Sequence, residues 1–427
     1  MRRTLHYDAV VVGAGVAGLT AAARLAESGA RVCVLAKGVG STHLAPGTVD
    51  VLGYEPDGSE PPRRVDSPAR ALPAFVAERT DHPYALLGVD SIRPALEWFA
   101  ERIEHGPQQG YRYLGEMERN HLLPTAVGAA RPSALVPETM AAGDLRGTGP
   151  ICVVGLHPLR DLWASLCAAN IVRLGVEARA VEVGLDVDRP DENALGLARR
   201  FEDPGFRRTF ADRLAPQLRD DERVALPAVL GVRDPHGVWS ELETWLGRPV
   251  FEIPTVPPSV PGMRVSDALR AALRAAGGRL VVGAEVGGAE RDGERVTALQ
   301  AHTAGRDTTY AARWVVLATG GFNSGALALG SDWVVRETVL GLPVRGAPAP
   351  GARRFVPEYF GEQPMSRVGV AVDPNQRAEG LENVIVAGAA LPGAEPWREG
   401  SGEGIAITSG HRAAELVRAE EGLGAAV

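Results

Sequence analysis

Cysteine is scarce in this chain of 427 residues, which has three thiols, Cys33, Cys152 and Cys167. None stands in a C-x-x-C pair. A cubane iron–sulfur cluster takes four thiolates, so the chain does not hold one by itself. Each cysteine lies in an apolar run, as buried thiols in a reducing compartment do. Also missing is an uninterrupted apolar run of about 20 residues, the length that spans a bilayer. The opening MRRTLHYDAVVVGAG reads as mature structure rather than a secretory leader, because glycines break its apolar stretch and an amphipathic pattern continues it. Positive charge is short as well. Lys+Arg number 45 against 53 Asp+Glu, a formal net charge of −8, which leaves no general basic field for nucleic acid. No histidines and acids recur at metal-ligand spacing, so no metal is expected.

What remains is an ordinary soluble balance, with 45% hydrophobic and 23% charged residues and enough length for two or three domains. The segment YDAVVVGAGVAGLTAAARLAESGARVCVLA reads as strand, tight turn, helix and strand, the start of a doubly wound α/β fold. Gly13, Gly15 and Gly18 form G-x-G-x-x-G. The first glycine permits the sharp turn, the second admits a phosphate to the backbone, and the third lets helix and strand pack closely. The free amides of Val16 and Ala17, at the positive end of the helix dipole, complete an anion site. In the dinucleotide-binding plan a carboxylate closes the second strand about 20 residues past the glycines, to hold an adenosine ribose. Here that place falls on Ala36, followed by Lys37 and Gly38.

Further along, residues 72–106 read as mainly helical, with a turn at His82-Pro83, and residues 54–68 as a surface excursion rich in Pro, Gly and charge. The segment from Gly149, GPICVVGLHPLRDLWASLCAANIVRLGVEARAVEV, reads as a second strand–helix–strand unit. It offers one glycine, Gly155, where the nucleotide fingerprint needs three. Residues 189–223 are charged and helical in pattern, and the proline-punctuated FEIPTVPPSVPG leads into a helix at about residues 265–276. The last third returns to strands: RLVVGAEVGGAERDGERVTALQA, then AARWVVLATGG, then LENVIVAGAALPG, and last a glycine-rich start to a terminal helix at GSGEGIAITSG. This order predicts a Rossmann-like cofactor domain in residues 1–110 and 255–427, interrupted by an inserted α/β domain in residues 111–254.

Two-domain flavoproteins interrupt their nucleotide fold in this way and then return to the first sheet. In that arrangement Thr319 and Gly320, then Gly388 and Ala389, line the cofactor. The last helix aims amides near Gly402, Gly404 and Ile405 at the pyrimidine end of a flavin, as an oxyanion hole would. The loop Ser41, Thr42, His43 to Gly47 is expected to pass over the flavin phosphate or ring, with His43 a catalytic candidate that hydrogen-bonds flavin or substrate and a loop histidine of no chemical role as the alternative. Arg264, after the proline-rich connection, is a candidate guanidinium fork for a substrate phosphate, with a plain helix-start arginine as the alternative.

Several stretches go beyond general flavoprotein features: STHLAPGTVDVLG (residues 41–53), HPYALLG (82–88), ICVVG (151–155), PTVPPSVPGMR (254–264) and ENVIVAG (382–388). Together with the glycine turn they resemble the B subunit of anaerobic glycerol-3-phosphate dehydrogenases, nearly end to end. The resemblance implies a flavin-containing member of a complex that oxidises sn-glycerol 3-phosphate to dihydroxyacetone phosphate and passes electrons toward quinone. It implies two partners: a second flavoprotein, the A subunit, and a cysteine-rich iron–sulfur protein, the C subunit, which docks on the membrane. It also implies a cytoplasmic location on the inner face of the cell membrane. The cofactor it implies is FMN, with FAD as the alternative. FMN has no adenosine ribose, which suits Ala36, whereas Ala389 stands where many related FAD enzymes carry an acid toward the ribityl chain. Succinate-dehydrogenase-type relatives attach FAD to a histidine in an S-H-T loop; the order here is S-T-H, with Gly47 only four residues on. A structural protein with a vestigial pocket, and a stand-alone oxidoreductase for another hydroxy acid, are the other readings.

Overall fold

The computed structural model describes residues 3–56, 62–187, 192–303, 305–358 and 361–422. The chain opens with β1 (Arg3–Val12), α1 (Val16–Glu27) and β2 (Val32–Ala36), and α2 follows at Ile92–Glu104. A second unit holds β3 (Ile151–His157), α3 (Ala164–Arg173), β4 (Ala178–Gly184), α4 (Ala194–Phe201), α5 (Pro204–Leu214), β5 (Arg223–Pro227), α6 (Pro235–Leu246) and β6 (Val250–Ile253). After α7 (Val260–Ala275) come β7 (Arg279–Val282), β8 (Glu285–Asp292), β9 (Arg295–Thr303), β10 (Arg306–Leu317), β11 (Val384–Val386) and α8 (Gly402–Glu421). Of the surface excursion at residues 54–68, Tyr54–Glu55 pairs with Arg63–Arg64, and residues 57–61 lie outside the described ones.

The first sheet has seven strands in the order β7-β2-β1-β10-β9-β8, with β11 also on β10. Strands β7, β2, β1, β10 and β11 run parallel, and β8 and β9 join antiparallel. The register sets Val12 of β1 beside Leu35 of β2 and Leu317 of β10. Strand residues alternate faces, so Ala9 and Val11, Val32 and Val34, and Trp314 and Val316 pack under the helices. Their neighbours Val10 and Val12, Cys33 and Leu35, and Val315 and Leu317 pack on the opposite layer. Burial on both faces is why these strands read as continuous apolar runs.

The second sheet, β4-β3-β5-β6, is wholly parallel and is packed on both faces by the same alternation: Cys152, Val154 and Leu226 on one side, Ile151, Val153 and Phe251 on the other. Helix α7 begins at Val260, five residues before the apolar pattern suggests. Ser259 caps it, accepting the Gly262 N–H at 3.1 Å, and Pro261 suits a first turn whose amides have no acceptor. No helix among the described residues is long and apolar enough to cross a membrane.

Candidate functional site

The carboxyl ends of β1, β2 and β10 meet at the glycine turn. Gly13 has φ +113°, and a Cβ there would lie 2.2 Å from the Ala318 carbonyl oxygen just past β10. A Cβ on Gly18 would lie 2.1 Å from the Gly13 oxygen, so helix and turn close only without side chains. At Gly15 a Cβ would meet nothing within 4 Å. That open space lies in front of the first turn of α1, where no side chain caps the amides and those of Val16 and Ala17 have no intrahelical acceptor. Thr42 and Thr319 flank the turn, each with a buried hydroxyl that has no hydrogen-bond partner.

The closing third seats directly on this unit. A Cβ on Gly388 would be 2.8 Å from the Ala17 Cβ, and one on Gly410 would be 2.3 Å from the Ala17 oxygen. The HPYALLG stretch holds the entrance to α8. Tyr84 N–H donates to His82 Nδ1 at 3.1 Å, which leaves Nε2 to donate to Glu399 at 3.1 Å. Ser401 Oγ donates to the same carboxylate at 2.8 Å. Burial opposes ionisation of Glu399, but the bonds from His82 and Ser401 outweigh it and hold its carboxyl below the usual range.

PTVPPSVPGMR docks α7 on the segment at residues 41–47. The Ser259 N–H donates to the His43 carbonyl at 2.9 Å, and Pro261 fills the place of a side chain at Gly47. A Cβ on Gly262 would lie 2.0 Å from the Thr42 oxygen. Thr42, Gly47, Gly262, Val16, Phe99, Tyr113 and Glu403 line a narrow cavity between α1, α7 and α8.

The geometry corrects several sequence expectations. Arg264 is fully buried and its fork is spent. Nη1 and Nη2 donate to Glu252 at 2.6 and 2.9 Å, and Nε and Nη2 donate to the Gly231 carbonyl at 2.9 and 2.7 Å. It bolts α7 to β6 of the second sheet and offers no N–H to a substrate phosphate. The Gly404 N–H donates to the Asp50 carbonyl and that of Ile405 to the Ser401 carbonyl, both at 3.0 Å, so neither amide is free for a flavin. Gly402 alone of the three has an uncommitted first-turn position. The Gly388 N–H donates to Ser409 Oγ at 2.8 Å, and Ala389 is exposed beside it. Lys37 leans outward to Glu285 at 2.7 Å, with Gly38 and Ser41 on the open surface. The His43 ring lies against α7. Burial and Arg270 push its pKa down, Asp267 opposes them, and the ring is not part of the cavity wall. Gly320 turns beside Ser324, whose hydroxyl donates to the Thr319 carbonyl at 2.6 Å.

A polar group that sequence reasoning missed lies beneath this cavity. Asp50 is buried and accepts from Thr48 Oγ1 at 3.0 Å, Ser133 Oγ at 2.6 Å, Arg131 Nε at 2.7 Å and Arg131 Nη2. Glu403, in the first turn of α8, interacts with both Asp50 and Arg131. The one available signal was an acid alone in each glycine-rich loop, GTVD and GSGEG.

These residues suit the phosphate end of a flavin: a glycine cradle with open space at Gly15, uncapped amides, and two orphaned hydroxyls on neighbouring segments. The ring end is tight. The lined cavity has about 10 Å³ of free volume, so a ring seated there parts the 41–47 segment from α7.

A glycine turn at the carboxyl edge of a parallel sheet, closed by a helix from the far end of the chain, is the arrangement of flavin-binding oxidoreductases. Residues 8–405 match the family model described as "FAD binding domain". A Pectobacterium atrosepticum protein, named as the B subunit of anaerobic glycerol-3-phosphate dehydrogenase, is 31% identical, the match covering 97% of this chain and 99% of that one. A Halobacterium salinarum protein, named as the probable B subunit of the same dehydrogenase, is 34% identical over 96% of this chain and 97% of its own. The chain belongs to the family of anaerobic glycerol-3-phosphate dehydrogenase B subunits. Among solved structures, Mycobacterium smegmatis Sdh1 in complex with UQ1 matches at 13% identity and a TM-score of 0.42, over 98% of this chain and 70% of that one.

Proposed function

We propose that this chain is the flavin-bearing B subunit of an sn-glycerol-3-phosphate:quinone oxidoreductase. In this reading it acts with a second flavoprotein, the A subunit, and with an iron–sulfur protein, the C subunit, which carries electrons to quinone and holds the complex on the inner face of the cell membrane. Family membership over nearly the whole chain supports the substrate, and the relatives' naming as one lettered member of a complex supports partners. The observation that carries the redox role is the convergence on Ala17 of the glycine turn, Gly388 and Gly410.

Flavin, when bound, supplies the two-electron acceptor for the alcohol carbon. The chain's own residues do the rest. The amides of Val16 and Ala17 hold a phosphate, and the buried, unpartnered hydroxyls of Thr42 and Thr319 orient the cofactor. The 41–47 segment on Pro261 and Gly262 excludes water. We assign residues 111–254, with the second sheet, as the cap over the substrate side. FMN is favoured over FAD because β2 ends in Ala36 and the next side chain, Lys37, is occupied by Glu285, so that strand end offers an adenosine ribose no carboxylate.

The small cavity favours one second reading, an assembly protein with a vestigial pocket. Purified chain, its extracted cofactor weighed by mass spectrometry, and bleaching by glycerol 3-phosphate separate the two. FMN with bleaching is expected. A colourless chain purified with its partners supports the assembly role and refutes the redox one.

A further inference from the structure

Where the 41–47 segment meets α7, three side chains bury polar atoms that have no hydrogen-bond partner: His43 Nε2, Ser266 Oγ, and both Nε and Nη2 of Arg270. Gly262, Ser266 and Arg270 follow one another at i, i+4 and i+8 along α7 and share a face. Gly262 marks what that face meets, since a Cβ there would lie 2.0 Å from the Thr42 oxygen and 2.9 Å from the Ala45 oxygen. Helical side chains lean toward the helix N-terminus, which carries Ser266 and Arg270 toward the segment, and the charge of Arg270 is felt at His43.

Buried donors without acceptors are costly. Arg102, Arg223, Arg367, Arg377 and Arg418 also bury an unpartnered Nε, yet each gives another nitrogen to an acid or a carbonyl. Arg270 alone buries two such nitrogens, and it has no ion pair or hydrogen bond among the described residues. Burial and Arg270 hold the His43 ring neutral at pH 7, and its Nε2–H tautomer is a donor. The one acid felt at His43, Asp267, takes no hydrogen from this group. A guanidinium fork, a hydroxyl and an imidazole with no acceptor between them complement the terminal oxygens of a phosphate. Gly40 and Gly47 bound the covering segment at φ +80° and +84°, where residues with a Cβ are strained. Gly40 packs on the phosphate turn, a Cβ there lying 2.9 Å from the Gly15 nitrogen, and Leu44 between the two glycines is 61% exposed.

We propose that His43, Ser266 and Arg270 form a binding site for the dianion of a phosphate monoester, held between residues 41–46 and α7. The segment parts from α7 about Gly40 and Gly47 to admit it. Two molecules of the proposed function carry this group, glycerol 3-phosphate and FMN, and the amides of Val16 and Ala17 already answer for that of the flavin. The site is therefore assigned to the substrate phosphate, a step that rests on the proposed function; the donor set itself does not.

The full chain, stripped of flavin, is titrated with inorganic phosphate and with glycerol 3-phosphate by calorimetry, while its histidine ring nitrogens are followed by NMR. Both ligands are expected to bind and to move the His43 Nε2 signal, assigned by its loss in His43→Gln. Arg270→Gln is expected to weaken both about 10–100-fold. Arg270→Lys weakens them less, because the charge stays while the fork goes. Without ligand, Arg270→Gln is expected to melt no lower than wild type, and to lose the rise in melting temperature that phosphate gives wild type. Ser266→Ala and the His43 signal read the same site with Arg270 intact. In the flavin-loaded complex, a KM for glycerol 3-phosphate raised tenfold or more by Arg270→Gln, at unchanged flavin content, supports the substrate assignment. Flavin lost at unchanged KM overturns that assignment in favour of the FMN phosphate. Titrations that neither Arg270→Gln nor Ser266→Ala alters, or a His43 signal that neither ligand moves, overturn the site. A wild-type complex without flavin or turnover overturns the proposed function, and the phosphate titration of the chain still decides the site.

Discussion

Replacing Arg264 by Met tests whether this side chain holds the fold or meets a substrate. In the native arrangement its guanidinium makes four hydrogen bonds, two to Glu252 and two to the Gly231 carbonyl, over the ring of Tyr111 at 5.3 Å. Arg264→Met keeps the bulk of the stem but strands the Glu252 carboxylate in the interior. That carboxylate retains only the Thr139 hydroxyl at 2.7 Å and the Leu230 N–H at 2.9 Å. Breaking one side of a buried ion pair costs about 3–5 kcal/mol, a large share of the roughly 5–15 kcal/mol that keeps a domain folded. Adding Glu252→Gln withdraws the stranded charge and is expected to restore part of the loss, so the double variant is more stable than the single one. Chemical denaturation followed by circular dichroism reads both, with KM for glycerol 3-phosphate measured at a temperature where each variant is folded. If Arg264→Met unfolds at the wild-type midpoint and instead raises KM tenfold or more, the guanidinium contacts substrate and the bolt between α7 and β6 is the wrong account.

Gly410→Ala puts a Cβ 2.3 Å from the Ala17 carbonyl oxygen; displacing α8 from α1 is expected to cost about 1–3 kcal/mol and to lower cofactor occupancy, read as absorbance per chain after gel filtration. The carboxyl of Glu399 lies below its ordinary value, so its stabilising contribution is present above the usual carboxylate range and fades as pH falls through the depressed value. A plot of unfolding free energy against pH should therefore be flatter on its acid side in Glu399→Gln than in wild type. Burial pushes the thiols of Cys33, Cys152 and Cys167 each up to about 11. A thiol reagent at pH 8 is expected to label none of the three in native protein and all three in denaturant, and rapid native labelling would contradict the packing of both sheets.

The first sheet and the β3–α3–β4 unit of the second were legible because their strands form short apolar runs bounded by glycine turns, a pattern carried within a dozen residues; β5 and β6 were not, β6 being read as part of a proline-punctuated connection. The glycine turn was legible for the same local reason. The side-chain roles were not. Arg264 looks like any phosphate-binding arginine until Glu252 and Gly231 are placed beside it, and those contacts join segments 12 and 33 residues away. HPYALLG gave away a family but not its purpose, since His82 meets Glu399 across 317 positions. Amides at Gly404 and Ile405 were assigned to a ligand on the rule that helix starts are unsatisfied, and the carbonyls of Asp50 and Ser401 satisfy them first. The early start of α7 was hidden by prolines that usually interrupt helices and here begin one.

The seating of Gly388 and Gly410 on Ala17 bears on how the protein is made. The phosphate turn leaves the ribosome first, while its partner strand Arg306–Leu317 and the helix Gly402–Glu421 emerge last. A growing chain therefore carries half a cleft with an unpaired parallel edge for most of its synthesis, the kind of surface chaperones attend. Cofactor capture becomes a late event, coupled to the arrival of the final helix, and every shortened product that lacks this helix leaves translation unable to hold a flavin.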